Sequence, residues 1–531
     1  MQRNLTRALG TFALAAGLST FSTSCNKDLN QQPDYTTTAD VLYRDPVQIQ
    51  QVLARLYATF ALSGQNGPAG SPDISGIDEG FSQYLRQYWQ LQEVTTDEAI
   101  IGWNDGNLVN LNTNTWNADN EFVRATYDRI FYEIALCNEF IRQTSDDNLS
   151  KRGISATDAP TIRTYRAEAR FLRALSYWHA IDLFGGGPFA TEANAIGTVP
   201  QYKKGSDMFA YVESELKDLD ATNALIASHT IYARADQATC WTLLTKLYLN
   251  AKVYTGTDRS TDAITYATKV LGAGYTLTPN YSWLFLADND KTSASNEIIF
   301  PITFDGLKTQ NYGGMTYLTH APTGGAIAPA SIGIGGGWAG LRTKANLVNL
   351  FPGGAVGTDA RQSLFFTTKQ KISIDTIGPF NNGYAVTKYK NLTSKGASGS
   401  DTSGNFPDTD FPMFRLADVQ LMYAEAVLRG GTGGTTTQAL AYVNAIRTRS
   451  GAAPLASITL NDILDERGRE LFWEGHRRTD LIRFGKYTTG YNWPFKGGVQ
   501  AGKDIEATRT LFPIPNTDRV ANTNLPQNPG Y

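Results

Sequence analysis

The chain has 531 residues, a formal net charge of −3 and a pI near 5.9. A chain of this length can bury a large core and exceeds the usual size of one domain, so we expect one extended domain or two. The balanced charge provides no basic field, which argues against nucleic acid as a partner. Aromatic residues make up 11 % of the chain and are accompanied by 49 glycines, which indicates ordered loops with aromatic surfaces.

The N-terminus predicts a lipoprotein signal peptide, residues 1–24. Arg3 and Arg7 precede an apolar run at 8–21 that is too short to span a bilayer. The next residues read Ser-Thr-Ser-Cys and resemble a bacterial lipoprotein cleavage site, so Cys25 is the predicted lipidation site. Acyl chains on this cysteine would tether the protein to a membrane without a spanning helix. Residues 25–45 are polar and are predicted to be the lipidated linker.

Residues 46–277 are predicted to be rich in helices. Apolar residues recur there at helical spacing, and the long 160–184 segment carries small residues, Ala169 and Ala174, at packing positions. Paired helices of this length are typical of tetratricopeptide-type scaffolds, although no strict sequence repeat is present. The predicted helices are 46–62, 119–143, 160–184, 206–222, 236–254 and 260–272.

An aromatic-rich stretch at 81–118 separates the first of these helices from the second. Its rings stand among polar residues, a pattern that favours a surface loop over a core segment. The preceding residues, 64–80, are rich in Gly and Pro and are also predicted to be a loop. The rings in question belong to Tyr84, Tyr88, Trp89, Trp103 and Trp116.

The helical pattern fades in residues 278–412 and returns in 413–531. The middle part gains Gly, Thr, Asn and Tyr and includes short β-prone runs such as EIIFPITF. Helical spacing is seen again at 341–350, 415–429 and 436–449. We therefore predict a mostly α fold, with tetratricopeptide-type helix pairs as the scaffold and a loop-rich, minor-β segment as the binding face. Binding surfaces commonly lie on loops that a rigid scaffold positions.

The stretch 459–487 carries the densest charge pattern in the chain. Apolar residues at helical spacing, such as Ile463 and Leu471, predict an amphipathic helix with a solvated face. Its acidic residues resemble a catalytic carboxylate cluster, but each one has a basic neighbour within helical reach. Asp465 with Arg469, and Glu474 with Arg478, are expected pairs. We interpret the stretch as a structural ion-pair seam.

Signatures of catalysis, cofactors and metals are missing from the sequence. It has no HExxH, GxSxG or Walker A motif, and its four histidines are scattered. A GxGxxG occurs at 335–340 without the βαβ context that gives this motif its meaning. The acidic loop around Asp288 lacks the pattern of an EF-hand. Cys137 and Cys240 stand in apolar helical contexts, so we expect buried free thiols. We therefore assign no catalytic residue, cofactor or metal ligand.

Aromatic residues in loops offer the chemistry of sugar binding. Sugars stack their apolar C–H faces on Trp and Tyr, while their hydroxyls need Asn, Asp, Gln or Arg nearby. Stacking contributes about 1 kcal/mol per ring beyond burial, so several rings must converge. Trp103 followed by Asn104, and the segment that holds Tyr312, Tyr317 and Trp338, supply both kinds of group. The alternative is that these rings turn inward and fix the loops.

Four stretches resemble the SusD/RagB family of outer-membrane lipoproteins. The closest resemblance is ERGRELFWEGHRRTDLIRFGKY at 466–487, and the others are 167–189, 415–428 and the C-terminal 511–531. The resemblance implies one α-rich SusD-like domain over 46–531, lipid-anchored at the cell outer membrane and facing the exterior. It implies that the protein captures oligosaccharides and acts as the lid of a SusC-like TonB-dependent transporter.

The resemblance also implies where the ligand binds, on the loop face of the helical scaffold. By position the candidates are Trp103, Asn104, Tyr312, Tyr317 and Trp338, with Asp73 and Asp78 as weaker candidates. Two other functions stay open. Peptide capture, as in the RagB branch, would require a more charged and less aromatic cleft. A surface glycosidase would require two carboxylates about 5–10 Å apart in a cleft.

Overall fold

The computed structural model describes residues 39–68 and 72–531. The described chain is mostly helical with short strands, which confirms the predicted fold class. The helices are α1 Ala39–Leu42, α2 Pro46–Ala58, α3 Tyr84–Trp89, α4 Val109–Thr113, α5 Glu121–Gln143, α6 Asp146–Lys151, α7 Ala159–Phe184, α8 Gly205–Ala221, α9 Gln237–Leu249, α10 Ala251–Thr255, α11 Ser260–Leu271, α12 Gly314–His320, α13 Ala345–Val348, α14 Leu416–Leu428, α15 Thr436–Arg449, α16 Leu460–Leu471, α17 Arg477–Arg483 and α18 Asn516–Ala521. The strands are β1 Ile100–Ile101, β2 Gly186–Phe189, β3 Gln201–Lys204, β4 Ile298–Ile302, β5 Leu341–Arg342, β6 Phe365–Phe366, β7 Ala385–Val386 and β8 Phe411–Arg415.

The scaffold is a series of helices in which each packs on the next. α5 packs on α7, α7 on α8, α8 on α9, α9 on α11, α11 on α14, and α14 on both α15 and α16. α7 is the longest of these, and almost all of its residues from Ala167 onward are buried. It ends at Gly185, whose left-handed φ of 67° suits glycine. Each helix thus buries faces against two neighbours, the arrangement expected of tetratricopeptide-type pairs.

The folded part begins earlier than the sequence predicts. α1 lies within the predicted linker, and Tyr43 packs its ring edge-on against Phe140 of α5 at a centroid distance of 6.1 Å. The linker prediction is therefore wrong for residues 39–45. Although Tyr43 stands in a polar stretch of sequence, its ring packs on an apolar surface of α5. The predicted signal peptide and Cys25 lie outside the described residues. No helix among the described residues is long and apolar enough to cross a membrane.

The stretch 81–118 belongs largely to the core, which corrects the surface-loop prediction. α3 and the π-helical turn Gln90–Val94 that continues it are buried throughout, and Trp116 is fully buried. The polar residues that hid this from the sequence pattern are buried with hydrogen-bond partners. Trp89 Nε1, for example, donates to the carbonyl of Trp473 at 2.8 Å. Trp103, like Phe81, stays partly exposed in the cleft described below.

The loop-rich segment starts and ends at one small antiparallel sheet. β4, the predicted EIIFPITF strand, pairs with β8, and Ile302 lies opposite Phe411. Residues 303–410, here called the excursion, therefore leave the helical scaffold and return to it at the same place. A second pairing, β1 with β5, joins the excursion to the early aromatic stretch.

The charged face of α16 is buried, not solvated as predicted. Glu470 accepts from Arg361, Arg415 and Arg449, and Glu474 accepts from Arg415 and Lys388. Burial alone would raise the pKa of Glu470, but the three guanidinium groups hold it at about 2. These long-range pairs replace the local pairs expected along the helix, because the partners come from the excursion, β8 and α15. The carboxylates are saturated with basic donors, so the seam is structural. The thiols of Cys137 and Cys240 are buried and free, as predicted.

Candidate ligand-binding site

An open cleft of about 560 Å³ lies where the early aromatic stretch meets the excursion. Three predicted site residues, Trp103, Tyr312 and Trp338, line it together. Tyr312 is 39 % exposed, and the two tryptophans are half-buried. A second cleft, of about 350 Å³ beside α7 and α8, contains one aromatic ring, Tyr254, whose hydroxyl donates to Asp182 at 2.7 Å. The three converging rings make the first cleft the candidate site.

A two-residue strand pair brings the tryptophans together across 235 positions of sequence. Ile101 lies opposite Leu341, so Trp103 follows one strand and Trp338 precedes the other. Beyond the pair, the Gly102 N–H donates to the Gly340 carbonyl at 2.8 Å, and Trp103 Nε1 donates to the Trp338 carbonyl at 3.1 Å.

Glycine at 340 is required by the close approach of the Trp103 ring. A Cβ there would lie 2.3 Å from Trp103 Cε2, which is far inside van der Waals contact. A Cβ at Gly337 would meet the Thr323 carbonyl at 2.3 Å. The GxGxxG at 335–340 is thus a packing motif of the loop that carries Trp338, and no βαβ unit surrounds it.

Trp338 lies between the other two rings of the cleft. The Trp103 and Trp338 centroids are 6.2 Å apart with planes at 51°, and those of Trp338 and Tyr312 are 6.4 Å apart with planes at 60°. Neighbouring rings are therefore not coplanar, and the three do not form one flat platform.

Two predicted contact residues lie elsewhere. Tyr317 is fully buried in α12, where Gln90 donates to its hydroxyl at 3.2 Å, so it supports the cleft from below and does not reach a ligand in the cleft. Flanking glycines hid this helix from the sequence pattern. Asn104 is exposed but is not part of the cleft lining. Of the weaker candidates, Asp78 lines the cleft, while Asp73 forms ion pairs with Arg55 and Arg129.

Arg86 is a cleft residue that sequence reasoning missed. It is 8 % exposed, and its Nη1 donates to the carbonyls of Gly80 and Tyr312 at 3.3 and 3.2 Å. Its Nε is buried with no hydrogen-bond partner among the described residues. Burial lowers the pKa of this guanidinium, and it lies 4.4 Å from the centre of the Tyr317 ring. No sequence signal distinguishes Arg86, because it is a single basic residue in a short, aromatic-rich helix.

The remaining charges of the cleft are acidic. Asp78 and Asp105 are exposed on its lining, and Glu121 accepts from the Asn107 N–H at 3.4 Å. Three carboxylates and one guanidinium therefore face the opening. Within the described residues, no group of three His, Cys, Asp or Glu side chains is placed to hold a metal ion. The site combines stacking faces with hydrogen-bonding groups of both kinds.

The fold and the cleft define a tetratricopeptide-type scaffold that carries an aromatic-lined cleft on its loop side. Residues 378–531 match the model of the SusD family. The chain is 35 % identical to the starch-binding protein SusD of Bacteroides thetaiotaomicron, in an alignment that covers 100 % of both chains. The chain therefore belongs to the SusD family, and the resemblance seen in the sequence is confirmed.

Solved structures share the fold at lower identity. A SusD superfamily protein from Parabacteroides distasonis superposes with a TM-score of 0.70 at 21 % identity, covering 92 % of this chain and 98 % of that one. A laminarin binding SusD-like protein superposes with a TM-score of 0.68 at 22 % identity, covering 91 % and 99 %. The predicted scaffold is thus the one that this superfamily uses.

Proposed function

We propose that this protein binds a neutral glycan of the starch type in the cleft formed by Trp103, Tyr312 and Trp338. The observation that carries the proposal is the convergence of three neighbouring rings, which are not coplanar, beside a buried arginine. An α-1,4-linked glucan chain is curved, so its successive sugars present faces at different angles, and the planes of neighbouring rings in the cleft also differ, by 51° and 60°. The starch-binding relative, which shares 35 % identity, supports the same ligand class.

Arg86 and the acidic groups complete the proposed chemistry. Sugar hydroxyls both donate and accept, so they can accept from the guanidinium of Arg86 and donate to Asp78 or Asp105. Binding then needs no catalytic group, and the sequence contains no catalytic signature.

The test of ligand class is affinity electrophoresis of residues 26–531 through gels that contain single polysaccharides. The panel is starch, glycogen and pullulan as α-glucans, with laminarin and a mannan for comparison. We expect retardation by the α-glucans. Retardation by a β-glucan alone would contradict the starch-type assignment, and no retardation across the panel would favour peptide capture.

We further propose that the protein is lipid-anchored at Cys25 and delivers its glycan to a SusC-like TonB-dependent transporter in the outer membrane, as its lid. Family membership and the lipoprotein-like N-terminus support this. The test is Cys25→Ala expressed in a Bacteroidetes host. We expect the variant to leave the membrane fraction and to lose co-purification with a co-expressed SusC-like transporter. An unchanged membrane fraction would contradict the anchor.

A further inference from the structure

His320 lies directly behind the central ring of the cleft. It ends α12, it is 3 % exposed, and its imidazole stacks on Trp338 with centroids 4.9 Å and planes 28° apart. Trp338 lines the cleft and His320 does not. The imidazole therefore supports Trp338 from the protein side, opposite the face that a sugar would use.

The imidazole also joins two loops. Its Nδ1 is 2.6 Å from the carbonyl oxygen of Gly336, in the loop that carries Trp338, and its Nε2 is 2.9 Å from the carbonyl oxygen of Asn405. Two backbone hydrogen bonds join the same segments. The Trp338 N–H donates to the His320 carbonyl at 2.8 Å, and the Gly335 N–H donates to the Gly404 carbonyl at 2.9 Å. His320 is thus the side chain that ties both loops to α12.

These contacts select one protonation state. A carbonyl oxygen only accepts hydrogen bonds, and a neutral imidazole has a single N–H. With a neutral ring, one of the two carbonyls therefore faces a nitrogen lone pair at hydrogen-bond distance. The imidazolium has two N–H groups and satisfies both carbonyls at once. The arrangement around His320 is the one that the protonated ring makes.

We propose that His320 is the positioning residue for Trp338 and that the cleft binds its glycan more tightly when His320 is protonated. The inference rests on the proposed glycan-binding function and adds its regulation by pH. The second hydrogen bond of the imidazolium fixes both loops, so the stacking ring is held in place before the ligand arrives. A preorganised site loses less ordering free energy on binding.

The pH range of the effect follows from the surroundings of His320. Burial lowers its pKa below the ordinary histidine value, and the two carbonyl contacts oppose that shift. Affinity is therefore expected to rise as the pH falls through the acidic range. The titratable and charged groups on the elements packed around it are Tyr317 on α12, Asp401 and Asp408 on the neighbouring loop, and Tyr312 and Arg86 at the cleft. The Asp401 carboxylate is occupied by the N–H groups of Asn405 and Phe406.

The first experiment measures maltoheptaose affinity by calorimetry from pH 5 to pH 8. We expect the wild type to bind about fivefold more tightly at the acidic end, the worth of one hydrogen bond. His320→Phe keeps the stacking but loses both donors, so it should bind about fivefold more weakly at pH 5 and change less with pH. His320→Gln restores one donor without titrating, so it should bind with intermediate affinity and an equally reduced dependence on pH.

The histidine control is His229→Gln. His229 is exposed and stacks on Tyr275, which is not part of the cleft lining. This variant should keep the wild-type pH profile. Burial lowers the pKa of both His179 and His476 to about 3, below the range measured. A His320→Gln profile as steep as that of the wild type would overturn the proposal, since the remaining acids of the cleft would then account for the slope.

A second measurement needs no ligand and separates this inference from the glycan assignment. Ring-¹⁵N-labelled histidine gives a signal for each imidazole nitrogen, and His320→Gln assigns the His320 pair. We expect both nitrogens to carry protons at the acidic end of the titration and one of them to lose its proton as the pH rises. A neutral tautomer throughout the range would overturn the inference. Failure to bind any glucan would instead overturn the proposed function.

Discussion

At the scale of single residues, Trp338 is the ring on which the cleft depends most. It contacts Trp103 on one side and Tyr312 on the other, and His320 stacks on it from behind. Its backbone carbonyl also holds the Trp103 indole in place. Removing this side chain therefore takes away one stacking face and loosens the two beside it, while the helical scaffold is untouched.

Trp338→Ala is expected to lower glucan affinity by about 5- to 150-fold, because it disrupts stacking at several sugars worth about 1–3 kcal/mol in total. Trp103→Ala should have a similar effect. The matched control is Trp241→Ala, another half-buried tryptophan, on α9 and away from the cleft. Calorimetry measures affinity, and thermal unfolding verifies the fold. Unchanged affinity in both cleft variants would move the site elsewhere.

At the scale of elements, two buried acids hold the turn between α16 and α17. Glu93 Oε1 accepts from the N–H groups of Gly475 and His476 at 2.6 and 3.1 Å, and Glu98 Oε2 accepts from the Trp473 N–H at 3.0 Å. The turn needs these bonds because Trp473 has a left-handed φ of 63°. Burial, and then the proximity of Glu98, raises the pKa of Glu93, while burial raises that of Glu98 to about 7.

These raised pKa values predict that the protein loses stability as the pH rises. The unfolded chain releases the Glu98 proton near pH 4.5, whereas the folded chain keeps it to about pH 7. The free energy of unfolding should therefore fall by about 2 kcal/mol between pH 5 and pH 8 through this group. Glu98→Gln, which cannot ionise, should reduce that fall in urea titrations, and exposed Glu506→Gln should not. Equal slopes in all three proteins would contradict the assignment.

At the scale of the whole molecule, buried ion pairs join the excursion to the C-terminal helices. Arg361 of the excursion reaches Glu466 and Glu470 of α16, and Arg415 of β8 reaches Glu470 and Glu474. These side chains are at most 1 % exposed. Because a buried charge is costly without its partner, the network makes distant segments fold together.

Glu470→Gln is expected to lower the free energy of unfolding by about 3–5 kcal/mol. It removes the carboxylate charge that the buried guanidinium groups of Arg361, Arg415 and Arg449 share. Urea unfolding followed by tryptophan fluorescence measures the loss, with Glu506→Gln as the exposed control. A loss below 1 kcal/mol would show that the network contributes little.

The charge of the molecule also predicts which class of glycan it does not bind. The net charge is −3, and three carboxylates face the cleft against one guanidinium. A polyuronate should therefore not retard the protein in affinity gels, whereas starch should. Asp78→Asn with Asp105→Asn should weaken this discrimination as it removes repulsion. Binding of polyuronate by the wild type would contradict the prediction.

The sequence predicts those parts of the fold whose signals are local. Helical periodicity locates α5, α7, α8, α11, α14 and α15 to within about two residues, because each has its own apolar face. It fails at α3, a short helix whose aromatic residues stand among polar residues that are also buried, and at α12, which glycines surround. Charge patterns along α16 also misled, since the partners of its acids come from elsewhere in the chain.

The sequence predicts which residue types form the candidate site, but not how these residues are placed relative to one another. Trp103, Tyr312 and Trp338 were selected because aromatic rings in glycine-rich loops suit sugars, and the structure brings these three together. Tyr317 has the same residue type and context, yet a helical turn places it inside. Arg86 and His320 have no local signal, because their surroundings form only when β1 meets β5 and the loops close.

The pairing of β4 with β8, which closes the excursion, has a consequence for how ligand specificity changes during evolution. A segment that leaves and returns at one sheet could in principle be exchanged between relatives as a cassette, together with its ligand preference. This cassette, however, carries Arg361 and Lys388, whose partners lie on and just beyond α16. New ligand specificity should therefore arise by substitutions within 305–340 and 392–408, while residues 341–391 between them are retained. Chimaeric proteins that take 341–391 from a relative should also need the α16 of that relative.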